Sequence, residues 1–170
     1  MKFIYLLIIS LQFLACNTNK EVLSIPKKTT ATKCPENGNC SFEVMYNKSL
    51  ELKTDGIGAL YPVLNEGKKT VLKFEYKRDE IANTVDGYYS EIIYAEIDPN
   101  INQLELNNKN LSKAKVIFGR LCFCRGETGY YRIKDGALSI EKKDNYLYFN
   151  LSFKCNEVPQ IISNISEIIN

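Results

Sequence analysis

The feature that most constrains this chain is a period-two alternation of apolar and polar residues, repeated along most of its length. Its cleanest instance is Thr70 to Lys77, where Leu72, Phe74 and Tyr76 face one way and Lys73, Glu75 and Lys77 the other. A strand puts successive side chains on opposite faces, so this pattern describes a sheet with one packed and one wet face. Ser41 to Tyr46 alternates likewise through Phe42, Val44 and Tyr46, and Leu50 and Leu52 continue it after Asn47-Lys48, a candidate hairpin turn that lacks a glycine. Asp55-Gly56-Ile57-Gly58 is a clear turn. Tyr88 to Ile97 is the next strand. Tyr89, Ile93, Ala95 and Ile97 share a side with Glu91, which spoils its parity, and Pro99 ends it. Ile101 to Leu106 reads as a short strand with Leu104 and Leu106 inward, Asn107 to Ser112 as a polar loop, and Lys115 to Arg125 as a long central strand. Tyr130 to Ile133, Leu138 to Ile140 and Tyr146 to Phe153 form a meander turned by Asp135-Gly136 and Asp144-Asn145.

This makes eight or nine strands with no βαβ rhythm. The fold class is mainly β: a single antiparallel β-sandwich or open barrel. One segment breaks the rule. Ile161, Ile162, Ile165, Ile168 and Ile169 fall at i, i+1, i+4, i+7 and i+8, behind Pro159 at a first-turn position. The spacing predicts a short C-terminal helix, with an edge strand as the alternative.

Composition removes much of the enzyme catalogue. There is no histidine among 170 residues, which excludes Ser-His-Asp and Cys-His catalysis and any His-liganded metal. The formal net charge of +2 does not suit a nucleic-acid binder that works by bulk charge. Asp98-Pro99-Asn100-Ile101-Asn102 opens like a calcium loop but has Gln103 and Lys109 where the turn glycine and bidentate glutamate belong. No metal and no cofactor is expected.

The first residues have a different character. Met1-Lys2 is a short basic start, Phe3 to Ala15 is almost wholly apolar, and Asn17-Thr18-Asn19-Lys20 is abruptly polar. The apolar run is too short to span a bilayer as a helix and suits a signal-peptide core. Its end, Phe13-Leu14-Ala15-Cys16, resembles the bacterial lipoprotein signal, with Phe13 standing where leucine is usual. The resemblance implies cleavage after Ala15 and acylation of Cys16. Each buried methylene of an acyl chain contributes ~0.8 kcal/mol, so two or more chains anchor durably. Residues 1–15 are then a signal peptide. Residues 16–33 are a lipidated N-terminus and tether whose far end is a candidate edge strand, and 34–170 form the β-rich domain. The signal, the tether, the Asn, Lys and Ile bias and the phrases Phe118 to Gly126 and Glu157 to Ile162 together resemble small uncharacterised lipoproteins of the Bacteroidetes type. That resemblance implies an envelope location, on the inner or outer membrane, and transfers no residue role.

Five of the six cysteines remain after Cys16. An exported chain can form disulfides. Cys34 and Cys40 flank Pro35-Glu36-Asn37-Gly38-Asn39, a turn-rich loop able to bring them together. Cys122 and Cys124 lie on one face of one strand, approaching ~7 Å apart, which is beyond comfortable bonding unless the strand bends. One of them is therefore expected to pair with Cys155, and the other to be a buried free thiol.

The segment from Phe118 to Arg132 sets three arginines among aromatic residues. Arginine forks onto carboxylates and tyrosine rings stack on sugars or peptides. Arg125, Glu127, Tyr130, Tyr131 and Arg132 are the candidate ligand-binding set; the alternative is a tight turn with an ordinary Arg125–Glu127 surface pair. The expectation is a membrane-anchored envelope lipoprotein. It would act as a non-catalytic binding or structural module, held to the lipid membrane by acylated Cys16, with an envelope protein or glycan as partner and no nucleic acid. An envelope hydrolase using carboxylates such as Glu91, Glu96 and Asp98 is the main alternative. An inhibitor of a foreign enzyme, presenting the Cys34–Cys40 loop, is the third.

Overall fold

The computed structural model describes residues 32–80 and 82–170. The signal peptide, Cys16 and all but the last two residues of the tether lie outside the described residues. Nine strands form two antiparallel sheets. They are β1 (Gly38–Thr54), β2 (Leu60–Arg78), β3 (Tyr89–Ile97), β4 (Gln103–Asn107), β5 (Ile117–Cys122), β6 (Gly129–Arg132), β7 (Asp135–Lys143), β8 (Tyr146–Lys154) and β9 (Asn164–Ile169). The first sheet runs β1-β2-β3-β5-β6 and the second β4-β7-β8-β9. Phe42, Leu72, Phe74, Ile93 and Phe118 of the first meet Leu138, Ile140, Phe149, Leu151 and Phe153 of the second in the main core. Aromatic pairs bridge the layers, Phe42 to Phe149 at 5.8 Å and Phe118 to Phe153 at 5.7 Å between ring centres.

Asn47-Lys48 does not turn a hairpin. It is an irregularity within one long strand, where Lys48 faces both Glu66 and Lys69 of β2 and Asn47 takes a left-handed φ of 56°. Asparagine tolerates that conformation better than most residues. Bulges insert residues and so reverse the face that later side chains address. Before this one, Phe42 and Val44 point to the main core; after it, Leu50 and Leu52 point away from it, into a second cluster with Val71, Ile92, Tyr94 and Ile117. The outer part of the hairpin is therefore carried over the opposite face of the first sheet, and its start, Leu60, pairs with Tyr130 of β6. The true turn is Asp55 to Ala59, where the Asp55 carboxylate accepts hydrogen bonds from the Ile57 and Ala59 amides at 2.9 and 2.8 Å.

Three further expectations change. The loop predicted over Asn107 to Ser112 is in part a 3₁₀ helix, Asn108–Ala114, pinned by the fully buried Leu111. Asp135-Gly136 is not a hairpin turn, because β6 belongs to the first sheet and β7 to the second; the chain changes layers there. Of these two dipeptides, Asp144-Asn145 turns a tight hairpin. Gly136, at φ +146°, lies so near β8 that an added Cβ would sit 2.2 Å from the Ser152 carbonyl oxygen. The C-terminal helix is overturned: Asn164–Ile169 is β9, paired to β8 at the edge of the second sheet. Ile165, Glu167 and Ile169 face inward and Ile168 outward. Branched isoleucines favour strands, and pairing with β8 decides the outcome.

The cysteines also depart from expectation. Cys34 bonds Cys40 as its loop allows, but Cys122 bonds Cys124 and Cys155 is a buried free thiol. β5 ends at Cys122 and the chain bends, so the two Cα atoms stand 5.2 Å apart instead of the ~7 Å of an extended strand. The expected cross-strand link to Cys155 is absent. Its thiol instead donates to the Glu157 carboxylate at 3.6 Å, and burial pushes its pKa up.

Candidate functional site

Strand alternation separates the five residues of the candidate ligand set. In β6, Tyr130 and Arg132 share one face and Tyr131 takes the other. Tyr130 packs with the second cluster and lies across Gly119, whose missing side chain makes room for the ring; an added Cβ would be 2.5 Å from it. Tyr131 packs against the main core, and its hydroxyl donates to the Thr128 carbonyl at 3.4 Å. Glu127 accepts from the buried Arg120 at 2.6 Å, while Arg125 is exposed on the turn closed by the Glu127 amide and the Cys124 carbonyl. The surface pair expected between Arg125 and Glu127 is thus replaced by a partly buried pair of Glu127 with Arg120.

What the fold does bring together is Tyr130, Tyr131 and Arg132, along a groove of about 420 Å³ that also takes in Leu60, Lys134 and Glu157. Burial is the main cause raising the pKa of both tyrosines. The groove is lined by two tyrosines, two cationic residues and one carboxylate. That chemistry suits a glycan or a peptide carrying a carboxylate.

A second polar group was not legible as a set. Glu91 is fully buried on the inward face of β3. Its carboxylate accepts from the Tyr89 hydroxyl at 2.5 Å and from the Ile161 and Ile162 amides at 2.6 and 2.7 Å. Arg78 and Arg120 lie over the Tyr89 ring, at 4.8 and 5.4 Å from its centre. Burial, and then the bond to Glu91, push the Tyr89 pKa up to about 12. The only sequence signal was Glu91 itself, a carboxylate on the apolar parity of its strand.

The carboxylates named for hydrolysis do not share a cleft. Glu91 faces the main core. Glu96, on the opposite face of β3, pairs with Lys115 at 2.8 Å and accepts from the Leu50 amide at 2.6 Å. Asp98 lies past the strand end and pairs with Lys69 at 3.0 Å. The loop named for inhibition is tied down: the Tyr76 hydroxyl donates to the Asn37 side chain at 2.9 Å, and Asn39 to Asp79 at 3.1 Å. Among the described residues, no three His, Cys, Asp or Glu side chains are placed to hold a metal ion.

The chain matches no protein-family model, no curated protein and no solved structure. Its class is defined by the architecture of the described residues: a mainly β, antiparallel, two-sheet fold with one short helix and two disulfides among them.

Proposed function

We propose that this protein is a membrane-anchored envelope lipoprotein whose β domain is a non-catalytic binding or structural module. The observation that carries the reading is the sequence from Met1 to Lys20: a basic start, a short apolar run, Ala15-Cys16, then a polar stretch. Two disulfides in the described domain support it, since such bonds persist in oxidising compartments. The finer fold is a sandwich whose first sheet curls towards an open barrel; the main core between the layers and the Leu60–Tyr130 pairing favour this. The groove beside Tyr130 and Arg132 is the binding surface for an envelope glycan or protein.

The test is the intact mass and N-terminal peptide of the protein taken from its native membrane without reduction. The expected result is a chain beginning at Cys16 with two or three acyl groups, and a Cys16→Ser variant that leaves the membrane fraction. A chain that retains Met1 and an unmodified Cys16 overturns the reading.

A further inference from the structure

The two disulfides are held in different ways. In the first, Cys40 is buried in the main core, and the loop it closes is tied to Tyr76 and Asp79. In the second, Cys122 and Cys124 are both half-buried, and they close a ring around a single residue, Phe123, which is 80% exposed. A disulfide stabilises a fold chiefly by restricting the unfolded chain, and the effect shrinks with the loop, so a bond between residues two apart contributes least. The local structure does not need this bond either. The connection from β5 to β6 is closed without it: Arg120 pairs with Glu127 at 2.6 Å, the Thr128 hydroxyl donates to the Arg120 carbonyl at 3.3 Å, and the Glu127 amide donates to the Cys124 carbonyl at 3.1 Å. A Cβ added at Gly126 would meet nothing within 4 Å, so the outer side of this turn is open. Exposed disulfides are the labile ones, and here the fold loses little when the bond opens.

We infer that Cys122–Cys124 is a thiol–disulfide exchange site, which accepts an electron pair from a dithiol carried on an apolar protein segment. A thiolate of the partner attacks the Cys124 sulfur. The bond between Cys124 and Cys122 breaks, and Cys122 leaves as a thiolate that takes a proton from water. The partner's second thiol, deprotonated, then attacks the partner sulfur of the mixed disulfide and displaces Cys124, which is protonated in turn. The chain gains two electrons and two protons, and the partner dithiol becomes a disulfide. Position selects Cys124 as the point of attack. Cys122 ends β5, faces Tyr89 of β3 and packs against the main core, whereas Cys124 lies past the strand end and is followed by the exposed Arg125, a cation that favours a thiolate beside it. Phe123 selects the partner, since its exposed ring beside the reacting sulfurs is covered when an apolar segment docks. The exchange is stoichiometric and depends neither on the Tyr130 groove nor on acylation of Cys16.

The test treats the oxidised full chain, without denaturant, with reduced dithiothreitol, and follows each bond by quenched alkylation and peptide mapping. Cys122–Cys124 should open about tenfold faster than Cys34–Cys40 or more, with Cys155 still unalkylated and the circular dichroism unchanged. A Cys122–Cys124 bond that opens no faster than Cys34–Cys40, or only as Cys155 becomes reactive, overturns the site. A second arm uses a reduced dithiol peptide with apolar flanks and the same peptide with serine and glycine flanks. The chain should oxidise the apolar peptide about fivefold faster, and Phe123→Ser should remove that preference while leaving the dithiothreitol rate unchanged. A preference that is absent, or that survives Phe123→Ser, overturns the partner class. Oxidised glutathione should modify Cys124 in the Cys122→Ser variant faster than Cys122 in the Cys124→Ser variant; the reverse order overturns the point of attack.

Discussion

Removing the Glu91 carboxylate should cost a large part of this domain's stability. The side chain is fully buried and accepts three short hydrogen bonds, one from Tyr89 and two from the Ile161 and Ile162 amides. Glu91→Ala leaves all three donors without their acceptor, two of them in fully buried bonds. Breaking a buried charged network from one side costs about 3–5 kcal/mol, against a total of about 5–15 kcal/mol for a typical domain. Glu91→Gln is the sharper test. One oxygen serves Tyr89 and Ile161 and the other serves Ile162. Whichever way the amide is turned, its NH₂ therefore faces at least one backbone N–H, donor against donor. The expected loss is about 1–3 kcal/mol, the penalty for one unsatisfied buried group. Urea unfolding should show a lower midpoint at an unchanged slope. Hydrogen exchange should be faster at the Ile161 and Ile162 amides in both variants. A Glu91→Gln protein with wild-type midpoint and wild-type protection at those amides would refute the reasoning, because it would mean that the carboxylate does not hold the β8–β9 connection.

Four other outcomes are expected. Tyr89, with its folded pKa raised to about 12 from 10.0, favours the neutral phenol, so its stabilising contribution is complete below about pH 10 and lost as pH rises towards 12; Tyr89→Phe should flatten that part of the stability profile. Non-reducing peptide mapping should find Cys34 linked to Cys40 and Cys122 linked to Cys124, with Cys155 reacting with maleimide only after unfolding. Gly119→Ala should destabilise by about 1–3 kcal/mol, since the new methyl drives into the Tyr130 ring, and calorimetry should record a lower Tm. Asn47→Val should cost about 1–2 kcal/mol at its left-handed φ, while Asn47→Gly should be nearly neutral, as read by the same urea midpoint.

The strands were legible because packing here obeys local alternation. Leu72, Phe74 and Tyr76 are all buried as their parity required, and Leu106 faces inward as read. Failures arose where a contact distant in sequence overrides the local pattern. The fusion of Ser41–Tyr46 with the Leu50–Leu52 stretch depends on a matching irregularity in β2, which β1 alone cannot reveal. The Cys122–Cys124 bond depends on where β5 stops, and that is set by its pairing with β3 and β6. In the ligand set, Tyr130 and Arg132 stayed together because period two keeps them on one face. Glu127 was lost to Arg120, a partner on the neighbouring strand that spacing did not bring out.

The two inward carboxylates explain the remaining irregularities together. Glu91 interrupts the apolar face of β3, and Glu167 interrupts that of β9 so that its isoleucines mimic a helical stripe. Each is buried, and each accepts from a segment that no strand pairing holds: Glu91 from the β8–β9 connection, Glu167 from the Thr32 hydroxyl at 2.5 Å. Thr32 also accepts from the Ser166 amide at 2.9 Å, so the end of the predicted tether is fastened to the outer edge of β9. A buried carboxylate is costly unless saturated with donors, and loop amides and hydroxyls are donors that a sheet leaves unpaired. Parity defects in this chain therefore mark where loops and termini are tied to the sheets.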